Sequence, residues 1–292
     1  MKKIDEPGWT HSLSFISYGV RVGVRANSSE ILERVKRRLP PGWKPVEASH
    51  RERLFAIWDA GRLQGRPRFH LLFDNEERLS RSTDLDQILD LLESSVRLYV
   101  AETSPHKIFV HAGAVGWRGR AIVIPGRSFS GKTTLVAELV RAGASYYSDE
   151  YAVFDARGRV SPFPKPLSLR LNGDYKQQDF AVEELGGRAG VRALPVGLVL
   201  VSSYKRGARW RPRQLSAGHG ALALLANTVA ARREPERALA TFQKVVAQTP
   251  VLKGVRGEAG EVARAILKKC EELETPNARG IPLRVSPEHF SI

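Results

Sequence analysis

The sequence predicts an α/β fold that is preceded by a smaller α+β region. Apolar runs of strand length recur along the chain and are interleaved with amphipathic stretches of helical period. The pattern changes near residue 105, where two apolar runs, 108–115 and 120–125, precede a glycine-rich turn and an amphipathic helix. We therefore expect an N-terminal α+β region over 1–104, an α/β domain over 105–275 and a polar tail over 276–292.

Composition restricts the class of protein. The chain has 292 residues and a single cysteine, Cys270, so an internal disulfide is excluded and a reducing compartment is favoured. No apolar run approaches the roughly 18 residues of a membrane helix, and the start of the chain lacks the apolar stretch of a secretory signal. We expect a cytoplasmic protein without a transmembrane segment.

The first hundred residues predict strands and helices in alternation. Residues 12–25 alternate as strands with a break at Tyr18-Gly19. A helix follows, with Asn27 as N-cap, Glu30 closing a capping box and Pro40-Pro41 after its end. Strands at 54–59 and 69–74, joined by a connection over 61–67, lead to a longer amphipathic helix over 83–101.

From residue 107 onward the pattern changes, beginning with two apolar strands. A four-residue connection, 116–119, joins the first two strands as a hairpin. The helix after the glycine-rich turn ends at Gly143. The remaining elements are listed in chain order: short strands at 145–148, 151–155 and 159–161, an extended segment at 167–171, a buried strand at 196–202, and helices at 219–232, 236–248 and 258–270.

The strongest motif is the loop between the second strand and its helix, Gly126-Arg127-Ser128-Phe129-Ser130-Gly131-Lys132-Thr133, followed by Thr134. Its glycines let backbone N–H groups point inward, and the N-terminus of the helix adds partial positive charge. Lys132 can reach the outer phosphates of a nucleotide, and the Thr133 hydroxyl can bind Mg²⁺. The motif predicts that this loop binds the phosphates of ATP or GTP.

Two acids and a histidine lie near this loop in the sequence. Asp149-Glu150 follow Lys132 by 17 residues at the end of a predicted strand, which in a parallel sheet finishes at the same edge as the loop. Carboxylates there can hold Mg²⁺ or accept a proton, although a solvated acidic turn is the alternative. His111 lies within the first apolar strand, where a lone histidine is more often a satisfied core residue than a catalyst.

Together these motifs resemble the catalytic core of the HPr kinase/phosphorylase family and its related bacterial kinases. The resemblance extends over about 106–170 and rests on the strand His111-Ala112-Gly113-Ala114-Val115, the loop 126–133 and Ser148-Asp149-Glu150. It implies the phosphate-loop fold that this family shares with phosphoenolpyruvate carboxykinase, with a mixed or antiparallel sheet. It also implies that Asp149 deprotonates a serine hydroxyl, that Glu150 lies near the metal and that His111 lies near the reacting phosphate.

Two features differ from that family. Its second acid is normally aspartate, and its arginine-glycine signature is not found near 196–203. The first hundred residues do not resemble its regulatory domain either. We therefore expect a related kinase rather than HPr kinase itself, with Lys132, Asp149 and His111 as catalytic residues and Thr133, Asp149 and Glu150 as metal ligands. The acceptor would be a hydroxyl of a protein, a peptide or a small molecule.

The net charge of +15 favours anionic partners, and the densest cationic run is 205–213, with five cations around Trp210. This run could bind nucleic acid, an acidic peptide or a nucleotide base. Alternatively, it is the tip of a hairpin that is kept soluble by its charge. Two other hypotheses therefore remain beside the kinase: a nucleotide-gated binding module without transfer, and a nucleic-acid-associated kinase or ATPase. The sequence is also compatible with a homo-oligomer.

The first prediction concerns nucleotide binding by the loop. If Lys132 donates charge-assisted hydrogen bonds to the outer phosphates, Lys132→Ala weakens the binding of ATP with Mg²⁺ by about 1.5–3 kcal/mol. Calorimetric titration of both proteins measures the loss, and an unchanged affinity would refute the assignment of this loop.

Overall fold

A computed structural model describes residues 8–47, 53–59, 69–127, 130–170 and 177–274 of the chain. Over these residues the protein has a mixed α/β architecture with six α-helices and three sheets. The predicted α/β class is confirmed at this level. The predicted connection at 61–67 and the tail at 276–292 lie outside the described residues.

The first sheet is built entirely from the predicted N-terminal region. Its strands are β1 (His11–Ser17), β2 (Val20–Ala26), β3 (Lys44–Pro45), β4 (Arg53–Asp59), β5 (His70–Asp74) and β6 (Glu77–Ser82). They lie in the order β3-β1-β2-β4-β5-β6, and only the β2–β4 pair is parallel. Tyr18 and Gly19 both have positive φ, at 49° and 87°, which is the two-residue hairpin turn that joins β1 to β2. The predicted break is therefore a tight turn.

Two helices pack on this sheet, α1 (Ser29–Lys36) and α2 (Leu85–Thr103). The predicted capping role of Asn27 is wrong, because Ser28 is the N-cap of α1 and makes no side-chain cap. The Asn27 amide instead bonds across to the β4 backbone, donating to Asp59 O at 2.6 Å and accepting from Asp59 N at 2.9 Å. Asp84 caps α2, since its side chain accepts from Asp86 N.

The second sheet has eight strands and carries the predicted motifs. Its strands are β7 (Ile108–Trp117), β8 (Arg120–Pro125), β9 (Ser145–Ser148), β10 (Tyr151–Phe154), β11 (Arg159–Ser161), β14 (Leu194–Tyr204), β15 (Arg213–Gln214) and β16 (Val251–Arg256). The order is β11-β10-β7-β8-β14-β16-β15, with β9 paired to β7. The neighbours β8, β14 and β16 are parallel, whereas β7 is antiparallel to β8, β9 and β10. A separate hairpin pairs β12 (Leu167–Arg170) with β13 (Gln177–Phe180).

Helices cover both faces of this second sheet: α3 (Lys132–Arg141) and α6 (Ala259–Glu274) on one, α4 (Ala217–Leu225) and α5 (Pro235–Gln248) on the other. The short strand β8 shows why both faces are apolar. Its side chains alternate between the two cores, so Ile122 and Ile124 lie with α3 and α6, and Ala121 and Val123 lie with α4 and α5.

Three sequence predictions in this region need correction. The predicted C-terminal elements lack one strand, because β16 runs between α5 and α6 beside the central strand β14. The helix predicted over 219–232 ends at Leu225, and residues 226–233 form turns. The strand before Asp149 was expected in a parallel sheet, but β9 is antiparallel to its partner β7.

An aromatic cluster joins the first sheet to the second. Tyr18, Phe109, Tyr151 and Phe163 come from the β1–β2 turn, β7, β10 and the segment after β11, with ring centroids 5.2–6.1 Å apart. Tyr18 also donates its hydroxyl to the carbonyl of Pro162 at 3.1 Å. The core of the N-terminal sheet thus continues into residues of the predicted second domain, and the division at residue 104 stays a prediction.

The cluster generates a stability prediction. Phe163 is 1% exposed, so Phe163→Ala leaves a cavity and lowers the free energy of unfolding by about 3–5 kcal/mol. The control Phe163→Leu removes less volume and costs less. Urea unfolding followed by circular dichroism and by tryptophan fluorescence measures both, and equal stability of the alanine variant and wild type would contradict the packing role.

Candidate functional site

The loop of the predicted motif connects β8 to the first turn of α3. Gly126 N donates to the carbonyl of His111 on the neighbouring strand at 3.1 Å. Gly131, the N-cap of α3, has φ 79°, a conformation that favours glycine. The loop therefore places the helix N-terminus at the end of β8, as phosphate binding requires. Ser128 and Phe129 lie outside the described residues.

The side chains of the motif differ in their surroundings. Lys132 Nζ donates to the backbone carbonyl of Arg127 at 2.7 Å, so the lysine curls over the loop. Burial lowers its pKa, and the carboxylates of Asp149 and Glu150 oppose that shift. Arg127 and Thr134 are exposed. Lys132 is thus the loop's own cation, held close to the two acids.

Asp149 is the most constrained of the predicted residues. It is 6% exposed, and its Oδ2 accepts the hydroxyl of Thr133 at 3.0 Å. Its Oδ1 accepts the phenol of Tyr146 at 2.9 Å. Burial, and then the charge of Asp149, raise the pKa of Tyr146, so the phenol remains a donor. Asp149 is therefore an acceptor on both oxygens and is fixed against the first turn of α3.

Glu150 faces two cations on the other side of Asp149. Its Oε2 lies 3.5 Å from Arg97 Nε on α2 and 3.7 Å from Lys165 Nζ. Lys165 Nζ also lies 3.7 Å from Asp149 Oδ1. These contacts are charge pairs without a hydrogen bond, because Glu150 Oε2 and Arg97 Nε are buried atoms that have no hydrogen-bond partner among the described residues. The pair of acids thus faces Thr133 of the loop on one side and the cations Arg97 and Lys165 on the other.

His111 is half-buried on β7, opposite Tyr151 of β10. Its ring centroid lies 4.9 Å from that of Tyr151. Burial lowers the pKa of the imidazole and Lys132 lowers it further, while Glu150 opposes them. The structure thus gathers His111, Lys132, Thr133, Asp149 and Glu150 around the loop, with a neutral imidazole at pH 7. Their catalytic and ligand roles remain predictions.

Arg256 is a residue of this site that the sequence analysis missed. It ends β16, is 2% exposed and donates Nη2 to the carbonyl of Gly131 at 2.7 Å. Burial lowers its pKa, and its guanidinium lies 5.5 Å from the centroid of the Tyr204 ring. A buried arginine at a helix N-terminus adds positive charge where phosphates would bind. The available signal was the short segment before Arg256, with Val251, Leu252 and Val255, which lies between two helical patterns.

The cationic run at 205–213 extends from the end of β14 into β15 and begins just after Tyr204, which lies beside Gly131. Its lysine and arginines are exposed. Trp210 is not, because it packs against the core of the second sheet, and a Cβ added at Gly254 would lie 2.9 Å from its ring. The tryptophan is thus a packing residue, whereas the cations are available to an anionic partner.

Over the part of the chain that the structure describes, no group of three or more His, Cys, Asp or Glu side chains could hold a metal ion. None of the described helices combines the length and apolar character that crossing a membrane demands. No protein-family model matches the sequence. A search of the curated proteins likewise finds no match.

The lowered pKa of His111 predicts a pH dependence of stability. Because the pKa of His111 is lower in the folded protein, folding disfavours its charged form. The neutral imidazole contributes its full stability at pH values above its pKa in the unfolded chain, about 6.5, and the fold loses stability as pH falls below that value. We expect His111→Gln to lose less stability than wild type between pH 7.5 and 5.5. Urea unfolding at both pH values measures this, with His106→Gln, at an exposed site, as control. An identical loss in wild type and His111→Gln would contradict the assignment.

Proposed function

We propose that the protein is a kinase that transfers the γ-phosphate of ATP or GTP to a serine-type hydroxyl of a protein, a peptide or a small molecule. The observation that carries the proposal is the 3.0 Å hydrogen bond from Thr133 to the buried carboxylate of Asp149. This hydrogen bond joins the first turn of the phosphate-loop helix to a carboxylate. Phosphate transfer to a hydroxyl needs both parts, a site for the nucleotide phosphates and a base.

Nucleotide binding would use the loop and the cations around it. The backbone N–H groups at the start of α3 and the ammonium of Lys132 would contact the phosphates, and Arg256 would hold the loop through Gly131 O. The donor set fits Mg²⁺, which is usually bound by one or two protein oxygens together with phosphates and waters. Thr133 and Asp149, with Glu150 beside them, would supply those oxygens, and Mg²⁺ would neutralise charge on the phosphates.

Asp149 would act as the general base. Its carboxylate accepts the proton of the acceptor hydroxyl while the hydroxyl oxygen forms a bond to the γ-phosphorus, and the bond to the bridging oxygen breaks so that the nucleoside diphosphate leaves. Tyr146 and Thr133 orient the carboxylate by donating to different oxygens. A neutral His111 next to Lys132 would donate a hydrogen bond to the transferred group.

The order of motifs and the mixed sheet support a core of the HPr kinase/phosphoenolpyruvate carboxykinase type. A histidine-bearing strand leads through an antiparallel hairpin into the loop, then a helix, then the acids. The nucleotide-gated binding module remains a second candidate. The exposed cations at 205–213, which follow Tyr204 beside Gly131, favour it because they offer a partner site at the edge of the nucleotide site.

Asp149→Asn separates the two candidates. Asparagine retains the shape and can still bond Thr133 and Tyr146, but it is a poor proton acceptor, so single-turnover transfer falls by about 10²–10⁴-fold. Nucleotide affinity changes far less, because the loop amides and Lys132 provide most of it. Asp155→Asn, in the exposed turn before β11, makes the same chemical change away from the loop and is the matched control. Transfer by Asp149→Asn at the wild-type rate would remove the kinase mechanism and favour the binding module.

Glu150→Gln is expected to behave differently from Asp149→Asn. If Glu150 serves the metal, its transfer defect is partly relieved at high Mg²⁺, whereas that of Asp149→Asn persists. Titration of the transfer rate against Mg²⁺ for both variants tests this, and an unrelieved defect in Glu150→Gln would argue against a metal role.

A further inference from the structure

A cleft with five cations among its thirteen lining residues adjoins the two acids on the side opposite the phosphate loop. It has a volume of about 270 Å³ and lies between the end of α1 with its following loop, α2, and the segment 164–166. We call it the cationic cleft; its lining includes Arg37, Arg38, Trp43, Arg97, Pro164 and Lys165. Glu93 is the one acid among the described residues that line it.

We propose that the cationic cleft binds an acidic peptide segment of the phosphate acceptor and so presents a neighbouring hydroxyl to Asp149. The proposal rests on the proposed kinase function and names its substrate class. The two oxygens of Asp149 support it, since Oδ2 faces Thr133 of the loop while Oδ1 lies 3.7 Å from Lys165 in the cleft. Nucleotide and acceptor would thus approach the same carboxylate from different sides.

The charges of the cleft are only partly neutralised within the protein. Arg38 pairs with Asp86 and Asp90 of α2, and Arg97 pairs with Glu93. In contrast, the exposed Arg37 makes no ion pair with any described residue. Lys165 Nζ has no hydrogen bond shorter than the 3.5 Å contact to Pro166 O, and its two carboxylate neighbours are 3.7 Å away. Arg37 therefore retains both its charge and its donors for an anion, whereas Lys165 retains N–H donors while two carboxylates balance its charge.

The buried unpartnered atoms mark the inner end of the cleft. Arg97 Nε lines up with Glu150 Oε2 at 3.5 Å, and neither atom has a hydrogen-bond partner among the described residues. Arg97 therefore connects the cleft to Glu150 by charge, since both of these atoms are closed to a bound group.

The walls favour a peptide over an isolated carboxylate. Prolines on both sides, at 40–41 and at 164 and 166, hold the lining segments in fixed backbone conformations, and Trp43 adds an aromatic face. A volume of about 270 Å³ exceeds the need of one carboxylate and lies just below the roughly 300–1,000 Å³ of pockets that enclose whole ligands. One or two residues of a chain fit this space.

Binding is tested with two end-blocked peptides, Gly-Glu-Ser-Glu-Gly and its glutamine counterpart Gly-Gln-Ser-Gln-Gly, by calorimetric titration at low salt. We expect the acidic peptide to bind wild type at least roughly tenfold more tightly than the glutamine peptide. Arg37→Glu should weaken the acidic peptide roughly tenfold, because it removes an attraction and adds a repulsion. Arg264→Glu makes the same change of charge at an exposed position on α6 and should leave the affinity unchanged.

Several outcomes would overturn the proposal that the cationic cleft binds an acidic peptide. Equal binding of the two peptides would remove the acidic specificity, and an equal loss in Arg264→Glu would show an effect of net charge alone. Displacement of the peptide by equimolar glutarate would assign the cleft to small dicarboxylates instead. Melting temperatures of both variants near wild type establish that they fold.

Phosphate transfer to the same peptides separates this proposal from the kinase function. Preferential binding of the acidic peptide without transfer from labelled ATP would contradict the proposed kinase function but support the proposal that the cleft binds acidic peptides. Equal transfer to both peptides would contradict the proposed acidic specificity of the cleft but support the proposed kinase function. Transfer that prefers the acidic peptide through a lower KM, with the preference reduced in Arg37→Glu, supports both.

Discussion

The architecture of the site depends on the burial of one carboxylate, that of Asp149. Removing an ionised carboxylate from water costs several kcal/mol unless hydrogen bonds and opposite charges offset it. Here they come from three separate segments: Thr133 at the start of α3, Tyr146 on β9 and Lys165 beyond β11. Because each partner satisfies part of the same group, displacement of one segment leaves a charge partly unpaired. The carboxylate therefore couples the phosphate-loop helix to the sheet and to the loop that lines the cationic cleft.

The N-terminal region supplies a cation to the carboxylate pair of Asp149 and Glu150. Arg97 reaches Glu150 from α2, and the aromatic cluster around Phe163 fixes α2's sheet against β7 and β10. The two contacts differ in kind: the aromatic contacts stabilise the junction through apolar burial, while the arginine balances a half-buried acid. A region that the sequence shows only as a small α+β unit thus contributes a cation to the acids of the second sheet. Its charge, rather than its fold, is what the site uses.

The sequence was sufficient for the features whose cause is local. The glycine-rich loop, the hairpin before it and the helix after it follow from residue types at fixed spacing, and the structure has all three. Contacts between distant segments were not predictable in this way. Arg256 and Arg97 become neighbours of the loop or the acids only through tertiary packing, whereas Tyr146 lies just three residues before Asp149. The error at Asn27 has the same origin, because its cap-forming side chain is used instead to bridge two strands.

The placement of Asp149 shows how a correct position can follow from an incorrect topology. The sequence argument required β9 to lie in a parallel sheet, whereas β9 is antiparallel to β7. Yet β8 is also antiparallel to β7, so β8 and β9 run in the same direction on either side of it. The register shows how close the two motifs lie: Pro125 at the end of β8 is opposite Ala112, and Ala112 N donates to Glu150 O at 3.1 Å. The acids lie where β9 passes into β10, which continues along β7, so the loop and the acids flank the same residue of β7. Strand direction, and not a parallel crossover, is what brings a phosphate loop and a carboxylate together in this protein.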